Sequence, residues 1–212
     1  MQVAILLYPN FTSLDVMGPY EVLARLPDTE VIFVAEHPGL ITNDLGNVTI
    51  DVVAGLDDAP SPDLVLVGGG PGQAENMTDG AVHEWLRAAD RTSTWTTSVC
   101  TGSLILAAAG ILEGRRATSH WMALPELSRF GVTPSTERVV VDGHYVSAAG
   151  VSSGIDMALM LAGRMMGDEV AQTVQLIIEY APEPPYDAGS TDTAPAEIVE
   201  RARGVLSGRF DD

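Results

Sequence analysis

Segments typical of buried strands alternate with segments typical of helices along this chain. Val3–Tyr8 and Leu64–Val67 are unbroken apolar runs, as expected of strands that are covered on both faces. Ala81–Asp90 and Ile155–Met166 have the apolar spacing of helices. This order predicts an α/β fold in which helices cover both faces of a mostly parallel central sheet, a three-layer sandwich.

Local signals set the boundaries of several other elements. We expect a loop over Thr12–Gly18 and a helix over Pro19–Leu26. The dipeptide Asp142-Gly143 predicts a hairpin between Arg138–Val141 and Tyr145–Ala148. Because no repeat, low-complexity tract or linker divides the sequence, we predict a single domain over residues 1–212.

The charge of the chain is strongly one-sided. It has 29 acidic residues against 11 basic ones, a formal net charge of −18, and every basic residue is arginine. This charge argues against partners that are nucleic acids or anionic membranes, because both present phosphates. It suits a cytosol of high salt, where ions screen the self-repulsion of the protein, although an ordinary acidic protein is the alternative.

Three features predict a cytoplasmic protein. A single cysteine excludes an intrachain disulfide framework. The N-terminal segment has neither the positive region nor the cleavage site of a signal peptide, and it is better interpreted as a first strand. The apolar runs are shorter than the roughly 18 residues that a membrane span needs.

That single cysteine, Cys100, lies where a strand meets a helix. The β-prone segment Thr94–Val99 ends at Cys100, and small residues then open an Ala/Leu-rich helix. Gly102 and Ser103 allow a sharp elbow at this junction. The N–H groups at the start of the helix favour the thiolate over the thiol. Cys100 is therefore a candidate nucleophile, and the alternative is an inert cysteine in the core.

Two further candidates follow other strands. Asp15 lies within an apolar stretch, where a carboxyl is costly unless it is hydrogen-bonded or functional. Gly69 and Gly70 follow the strand Leu64–Val67, and their N–H groups could face a developing negative charge, although a simple tight turn is the alternative. Since ligands bind at the carboxyl ends of parallel strands, these groups and Cys100 are expected to converge.

His120 is the histidine whose sequence context most suggests a catalytic role. It precedes a tryptophan, and it is either the base for Cys100 or a satisfied structural histidine. The His, Cys and Asp residues show no spacing of metal ligands, so we predict no metal site.

Taken together, these motifs resemble the DJ-1/PfpI superfamily, and most closely its isocyanide hydratase branch. The resemblance runs from Leu7 to about Arg203, and its least generic part is the tail segment from Gln175 through Pro195. The matching stretches are Leu14–Pro19, Gly69–Gly72, Thr97–Ser103, Leu112–Trp121, Gly154–Asp156 and Gln175–Ser190.

The resemblance implies a role for each candidate residue. Cys100 would be the nucleophile and Asp15 the acid/base carboxyl. Gly69 and Gly70 would supply backbone donors to the substrate, and Val151 would lie beside the site. Thr101 follows the nucleophile where many members of the superfamily carry histidine, which fits the hydratase branch and disfavours the protease-like and amidase-like subgroups.

The implied activity is hydration of isocyanides to N-substituted formamides without a diffusible cofactor, on a flavodoxin-like fold. Because members of the superfamily are usually homodimers, the resemblance also implies a homodimer with the site near its interface. Two alternatives remain on the same scaffold: a glyoxalase- or deglycase-like enzyme that acts on small carbonyls, and a non-enzymatic sensor that uses Cys100 as an oxidisable thiol.

Overall fold

The computed structural model describes residues 1–210, in which one compact unit covers Met1–Ile178 and a second begins at Glu179. The strands are β1 (Gln2–Leu6), β2 (Glu30–Ala35), β3 (Gly39–Thr42), β4 (Thr49–Val52), β5 (Ala54–Gly55), β6 (Leu64–Val67), β7 (Trp95–Val99), β8 (Arg116–Ala117), β9 (Thr133–Pro134), β10 (Val139–Asp142) and β11 (Tyr145–Ala148). The α-helices are α1 (Ser13–Leu23), α2 (Ala81–Asp90), α3 (Gly102–Ala108), α4 (Ser153–Met166), α5 (Asp168–Ile177) and α6 (Ala196–Phe210), and 3-10 helices cover Leu56–Asp58, Pro71–Met77 and Leu124–Phe130.

Seven strands form the central sheet, in the order β10-β11-β7-β6-β1-β2-β5. All neighbours in it are parallel except β10 and β11, which form the hairpin expected from Asp142-Gly143. Helix α4 packs on β7 and β11 and against α1, while α2 and α3 contact β6. The residues of β6 are fully buried, as the apolar run predicts. The predicted α/β fold is confirmed.

The first helix begins earlier than its sequence signals suggest. Helix α1 starts at Ser13, so the predicted loop over Thr12–Gly18 and the predicted helix start at Pro19 are wrong. Pro19 lies inside the helix and has no N–H, so it cannot donate to the carbonyl of Asp15 one turn earlier. The consequence for the site is that Asp15 belongs to the first turn of a helix, not to a loop.

The order of the strands brings three loops to one edge of the sheet. Strand β6 lies between β1 and β7, and all three are parallel. Their carboxyl ends therefore meet, which places the segments that follow them side by side. These segments carry Asp15, the glycines from Gly68 to Gly70, and Cys100. Across residues 1–210, no helix has the length and apolar character needed to cross a membrane.

Candidate active site at the Cys100 elbow

Cys100 lies at the turn between β7 and α3 with a left-handed backbone. Its φ is 58°, a conformation that side-chain-bearing L-residues resist. Its N–H donates to the carbonyls of Ala148 at 3.0 Å and Ala149 at 2.8 Å. The hydroxyls of Ser103 and Ser119 donate to its carbonyl at 3.1 and 3.0 Å. These bonds hold the strained peptide in place, so the predicted sharp elbow is confirmed.

The small residue after the elbow is required by packing. A Cβ added to Gly102 would lie 2.1 Å from the carbonyl oxygen of Val67, far closer than any real contact. Helix α3 therefore starts in direct backbone contact with the end of β6. This close approach confirms that a residue without a side chain is needed for the turn.

Asp15 is completely buried at the start of α1. Its Oδ2 accepts a hydrogen bond from the N–H of Gly69 at 2.8 Å, while its Oδ1 has no hydrogen-bond partner within the described part of the chain. Burial raises the pKa of Asp15 to about 7, and the charge of Asp44 adds to this. The Gly69 N–H and the Cys100 thiol act in the opposite direction. The thiol thus lies close enough to influence the carboxyl, although it does not complete a hydrogen bond of normal geometry with it.

Cys100 is also buried, with 5% of the residue's surface exposed. Burial and the negative charge of Asp15 raise the pKa of the thiol well above its usual value. The N–H groups of Thr101 and Val151 lower it, as expected for N–H groups that face a sulfur at a helix start, but by less than burial raises it. Burial and the charge of Asp15 thus favour the protonated thiol, while the N–H groups favour the thiolate that the helix start predicts.

The glycine loop after β6 holds the site together. The N–H of Gly69 donates to Asp15, and the N–H of Gly70 donates to the hydroxyl of Thr101 at 3.0 Å. Both N–H groups thus have partners within the protein. A Cβ on Gly69 would meet the backbone nitrogen of Thr101 at 2.5 Å and Oδ2 of Asp15 at 2.9 Å. Glycine is required here because the loop packs directly on both residues.

Tyr8 belongs to the same cluster, although its sequence context marks it only as the end of a buried strand. Its hydroxyl donates to the carbonyl of Gly68 at 2.7 Å. Burial raises the pKa of the phenol well above its usual value, and the negative charges of Asp15 and Cys100 raise it further. The phenol thus lies beside the reactive pair. The available signal was a hydroxyl at the carboxyl end of a strand that neighbours β6.

His120 has no electrostatic influence on the thiol comparable to that of Asp15. Its Nδ1 accepts from the N–H of Met122 at 3.4 Å, and its ring lies against that of Trp121 with centroids 5.6 Å apart. Burial lowers its pKa, which keeps the imidazole neutral. The charge that acts on the pKa of Cys100 is that of Asp15. These contacts favour the structural alternative for His120.

Two cavities lie apart from the reactive pair. One, of about 360 Å³, lies between α4 and α5 and is lined by Leu159, Met160, Gly163, Arg164, Asp168, Ala171, Gln172 and Gln175. A second, of about 510 Å³, lies beside Met1 and Glu30. Neither is lined by Cys100 or Asp15, both of which are buried.

Comparison with known proteins shows the family and relatives that this chain resembles. A family model described as "DJ-1/PfpI family" matches residues 1–163. An isonitrile hydratase of Pseudomonas putida is 42% identical over 203 residues, which cover 96% of this chain and 89% of that protein. A deglycase of Pyrococcus abyssi is 32% identical over 152 residues, 70% of this chain and 89% of that protein. The crystal structure of a ThiJ/PfpI family protein from Pseudomonas syringae superposes with a TM-score of 0.94 at 32% identity, covering 99% of this chain and 87% of that one.

Proposed function

This chain belongs to the DJ-1/PfpI family, and from that premise we propose that it hydrates isocyanides, R–N≡C, to N-substituted formamides. The observation that carries the proposal is the buried pair of Asp15 and Cys100, in which a carboxyl with a pKa of about 7 lies beside a protonated thiol. Such a carboxyl is suited to both accept and donate a proton near neutral pH. The similarity to an isonitrile hydratase over nearly the whole chain supports the same reaction.

In the first step, the sulfur of Cys100 adds to the terminal carbon of the isocyanide. The Asp15 carboxylate takes the thiol proton as the S–C bond forms and delivers it to the same carbon. One bond of the C≡N unit is used, and the product is a thioimidate, R–N=CH–S–Cys100. Because the proton moves within the buried pair, this step needs no exchange with solvent.

In the second step, water adds to the thioimidate carbon while Asp15 accepts a proton from it. Asp15 passes this proton to the nitrogen, which gives the tetrahedral species R–NH–CH(OH)–S–Cys100. Asp15 then takes the hydroxyl proton as the C–S bond breaks, and it returns that proton to the sulfur. The products are the formamide R–NH–CHO and the regenerated thiol. The N–H groups of Thr101 and Val151, which favour the thiolate, would stabilise the departing sulfur.

Within this mechanism, Gly69 and Gly70 act on the protein and not on the substrate. The N–H of Gly69 holds Asp15, and the N–H of Gly70 holds the hydroxyl of Thr101. A histidine at position 101 would have no hydroxyl to accept this bond. The loop thus serves to place the two residues that flank the sulfur.

The test is turnover of cyclohexyl isocyanide and p-nitrophenyl isocyanide, followed as formation of the formamide. Cys100→Ala should abolish turnover, a loss of about 10³-fold or more, and Asp15→Asn should reduce it severely. His120→Gln serves as the matched control and should retain most of the activity. Wild-type protein that forms no formamide from either compound would refute the proposal.

A second candidate function is conversion of small carbonyls, which the 32% identity to a deglycase favours. Turnover of methylglyoxal without turnover of isocyanides would select it. A non-enzymatic thiol sensor is the third possibility, selected by peroxide-sensitive Cys100 without turnover of either substrate class.

We further propose that the protein is a homodimer and that it is cytoplasmic. We also propose that residues 1–212 form a single domain and that the protein has no nucleic-acid or membrane partner. The hairpin of β3 and β4 and its flanks expose Leu40, Leu45 and Val53, which supports contact with a second copy. The mass of the protein in solution, measured by light scattering, tests the dimer.

A further inference from the structure

One peptide group connects Tyr8 to Asp15. The phenol of Tyr8 donates to the carbonyl oxygen of Gly68 at 2.7 Å, and the next N–H, that of Gly69, donates to Oδ2 of Asp15 at 2.8 Å. This carbonyl and this N–H are the two ends of a single planar amide. A hydrogen bond accepted by the carbonyl polarises the amide and strengthens the bond that its N–H donates.

Packing and hydrogen bonds fix the residues on both sides of this peptide. Leu6 in β1 pairs with Val67 in β6, so the two strands deliver Tyr8 and Gly68 to the same level of the sheet. A Cβ on Gly68 would meet Cγ2 of Val16 at 2.9 Å. The carbonyl of Gly69 accepts from the N–H of Thr12 at 2.8 Å. The peptide is thus held on both sides, with one end toward the phenol and the other toward the carboxyl.

We propose that Tyr8 is a positioning residue of the reactive pair, which acts through the Gly68–Gly69 peptide to hold the Asp15 carboxylate beside the Cys100 thiol. Tyr8 is 4% exposed, and among residues 1–210 its hydroxyl has one hydrogen bond, the one to this peptide. This inference deepens the proposed function, on which its kinetic test rests, whereas its chemical test is independent of any substrate.

Removing the hydroxyl of Tyr8 should change the pKa of Asp15 in one direction, upward. The titratable groups that face Asp15 are Cys100 from the elbow, Asp44 from the segment after β3, and Tyr8 itself. Without the phenol, the N–H of Gly69 becomes a weaker donor, and the surroundings of the carboxyl become less polar. Both changes disfavour the carboxylate and raise the pKa of Asp15.

The experiment compares Tyr8→Phe with wild type and with Tyr145→Phe. Tyr145 is a matched control because it is also buried and its hydroxyl donates to a carboxylate, Asp90, at 3.2 Å, at the opposite ends of the strands. The first readout is the pH dependence of alkylation by iodoacetamide, which reports on Cys100 alone since the chain has one cysteine. The lower macroscopic pKa of the pair should rise by roughly half to one unit in Tyr8→Phe and stay unchanged in Tyr145→Phe.

The second readout is the hydration of cyclohexyl isocyanide. In Tyr8→Phe, the pKa of the acidic limb in the pH profile of kcat/KM should rise by the same amount. The value of kcat should fall about 3- to 10-fold, while KM should stay within about twofold of wild type. If wild type makes no formamide, the proposed function fails, and the alkylation profile still decides the role of Tyr8. Alkylation profiles of Tyr8→Phe and wild type that superimpose would overturn the inference, even if Tyr8→Phe melts at a lower temperature.

A second variant keeps the test valid if Tyr8→Phe does not fold, as judged by circular dichroism. Site-specific Tyr8→3-fluorotyrosine retains the hydroxyl and makes it a stronger donor. It should shift the lower pKa of the pair in the opposite direction, toward acid. An unchanged profile in a folded fluorotyrosine variant would equally overturn the inference.

Discussion

The carboxyl of Asp15 and the thiol of Cys100 are buried together, and each alters the protonation of the other. The thiol lowers the pKa of the carboxyl, while the carboxylate raises the pKa of the thiol. The two groups come from the first turn of α1 and from the end of β7, and the Gly69 N–H holds one of them in place. A proton shared between them is the basis of the chemistry and of the predictions below.

Replacing Asp15 should stabilise the folded protein at alkaline pH. The pKa of this carboxyl is about 7 in the folded state, against 3.8 for an unperturbed aspartate. The folded state therefore binds the extra proton between these values, and stability is fully present below the unfolded pKa and is lost as pH rises through 7. Asp15→Asn removes this loss, so it should be more stable than wild type at pH 8 by about 2 to 4 kcal/mol.

Chemical denaturation at pH 8 and pH 5 measures this difference. The advantage of Asp15→Asn should shrink at pH 5, where wild type is protonated as well. Asp51→Asn, on an exposed side chain, is the control for the loss of a carboxylate as such. Equal stability of Asp15→Asn and wild type at both pH values would contradict a raised pKa of Asp15.

The same substitution should make the thiol more acidic. The charge of Asp15 and its interaction with the thiol both raise the pKa of Cys100, and asparagine removes the charge. The pKa of Cys100 should therefore fall by about one unit in Asp15→Asn. The rate of alkylation by iodoacetamide as a function of pH gives this value directly. An unchanged or higher pKa would mean that the two groups do not interact.

The elbow should tolerate glycine unusually well. At an ordinary buried position, alanine to glycine costs about 1 kcal/mol, from lost apolar contact and from greater freedom in the unfolded chain. At φ 58°, the strain of a Cβ offsets that cost. Cys100→Gly should therefore be at least as stable as Cys100→Ala in urea denaturation, whereas Ala148→Gly in β11 should be clearly destabilised. A similar loss at both positions would show that the elbow stores no strain.

Salt should stabilise this protein if its surface charge is the main source of self-repulsion. With a net charge of −18, the folded state confines many like charges, and added ions screen them. The melting temperature should rise between about 0.05 M and about 2 M KCl. A flat response over this range would remove the high-salt cytosol as an explanation for the acidic composition.

Local sequence was sufficient to predict the parts of the site that depend on local geometry. The apolar runs predicted β1 and β6, and the small residues after Cys100 predicted the elbow, because both depend on neighbours in sequence. The start of α1 was mispredicted because Pro19 is a strong signal for a first turn, yet here it lies in the helix interior. Asp15 was nonetheless identified, since a carboxyl in an apolar stretch needs an explanation wherever the helix begins.

Long-range contacts were beyond such reasoning. The partners of the Gly69 and Gly70 N–H groups depend on how β1, β6 and β7 are aligned, and no local pattern encodes this. The same holds for Tyr8, whose hydroxyl finds Gly68 only in the folded sheet. The same limit applies to the protonation of Cys100: the helix start that favours the thiolate is visible in the sequence, but the burial that raises the pKa of the thiol is not.

The left-handed backbone at Cys100 ties the position of the sulfur to the chirality of the chain. A D-cysteine at this position would adopt the same φ without strain, but its side chain would take the place of the Hα and project in another direction. At this turn, a residue that relieves the backbone strain therefore cannot also direct its sulfur toward Asp15. A semisynthetic protein with the mirror-image residue would be expected to fold more readily and to leave Asp15 facing no thiol.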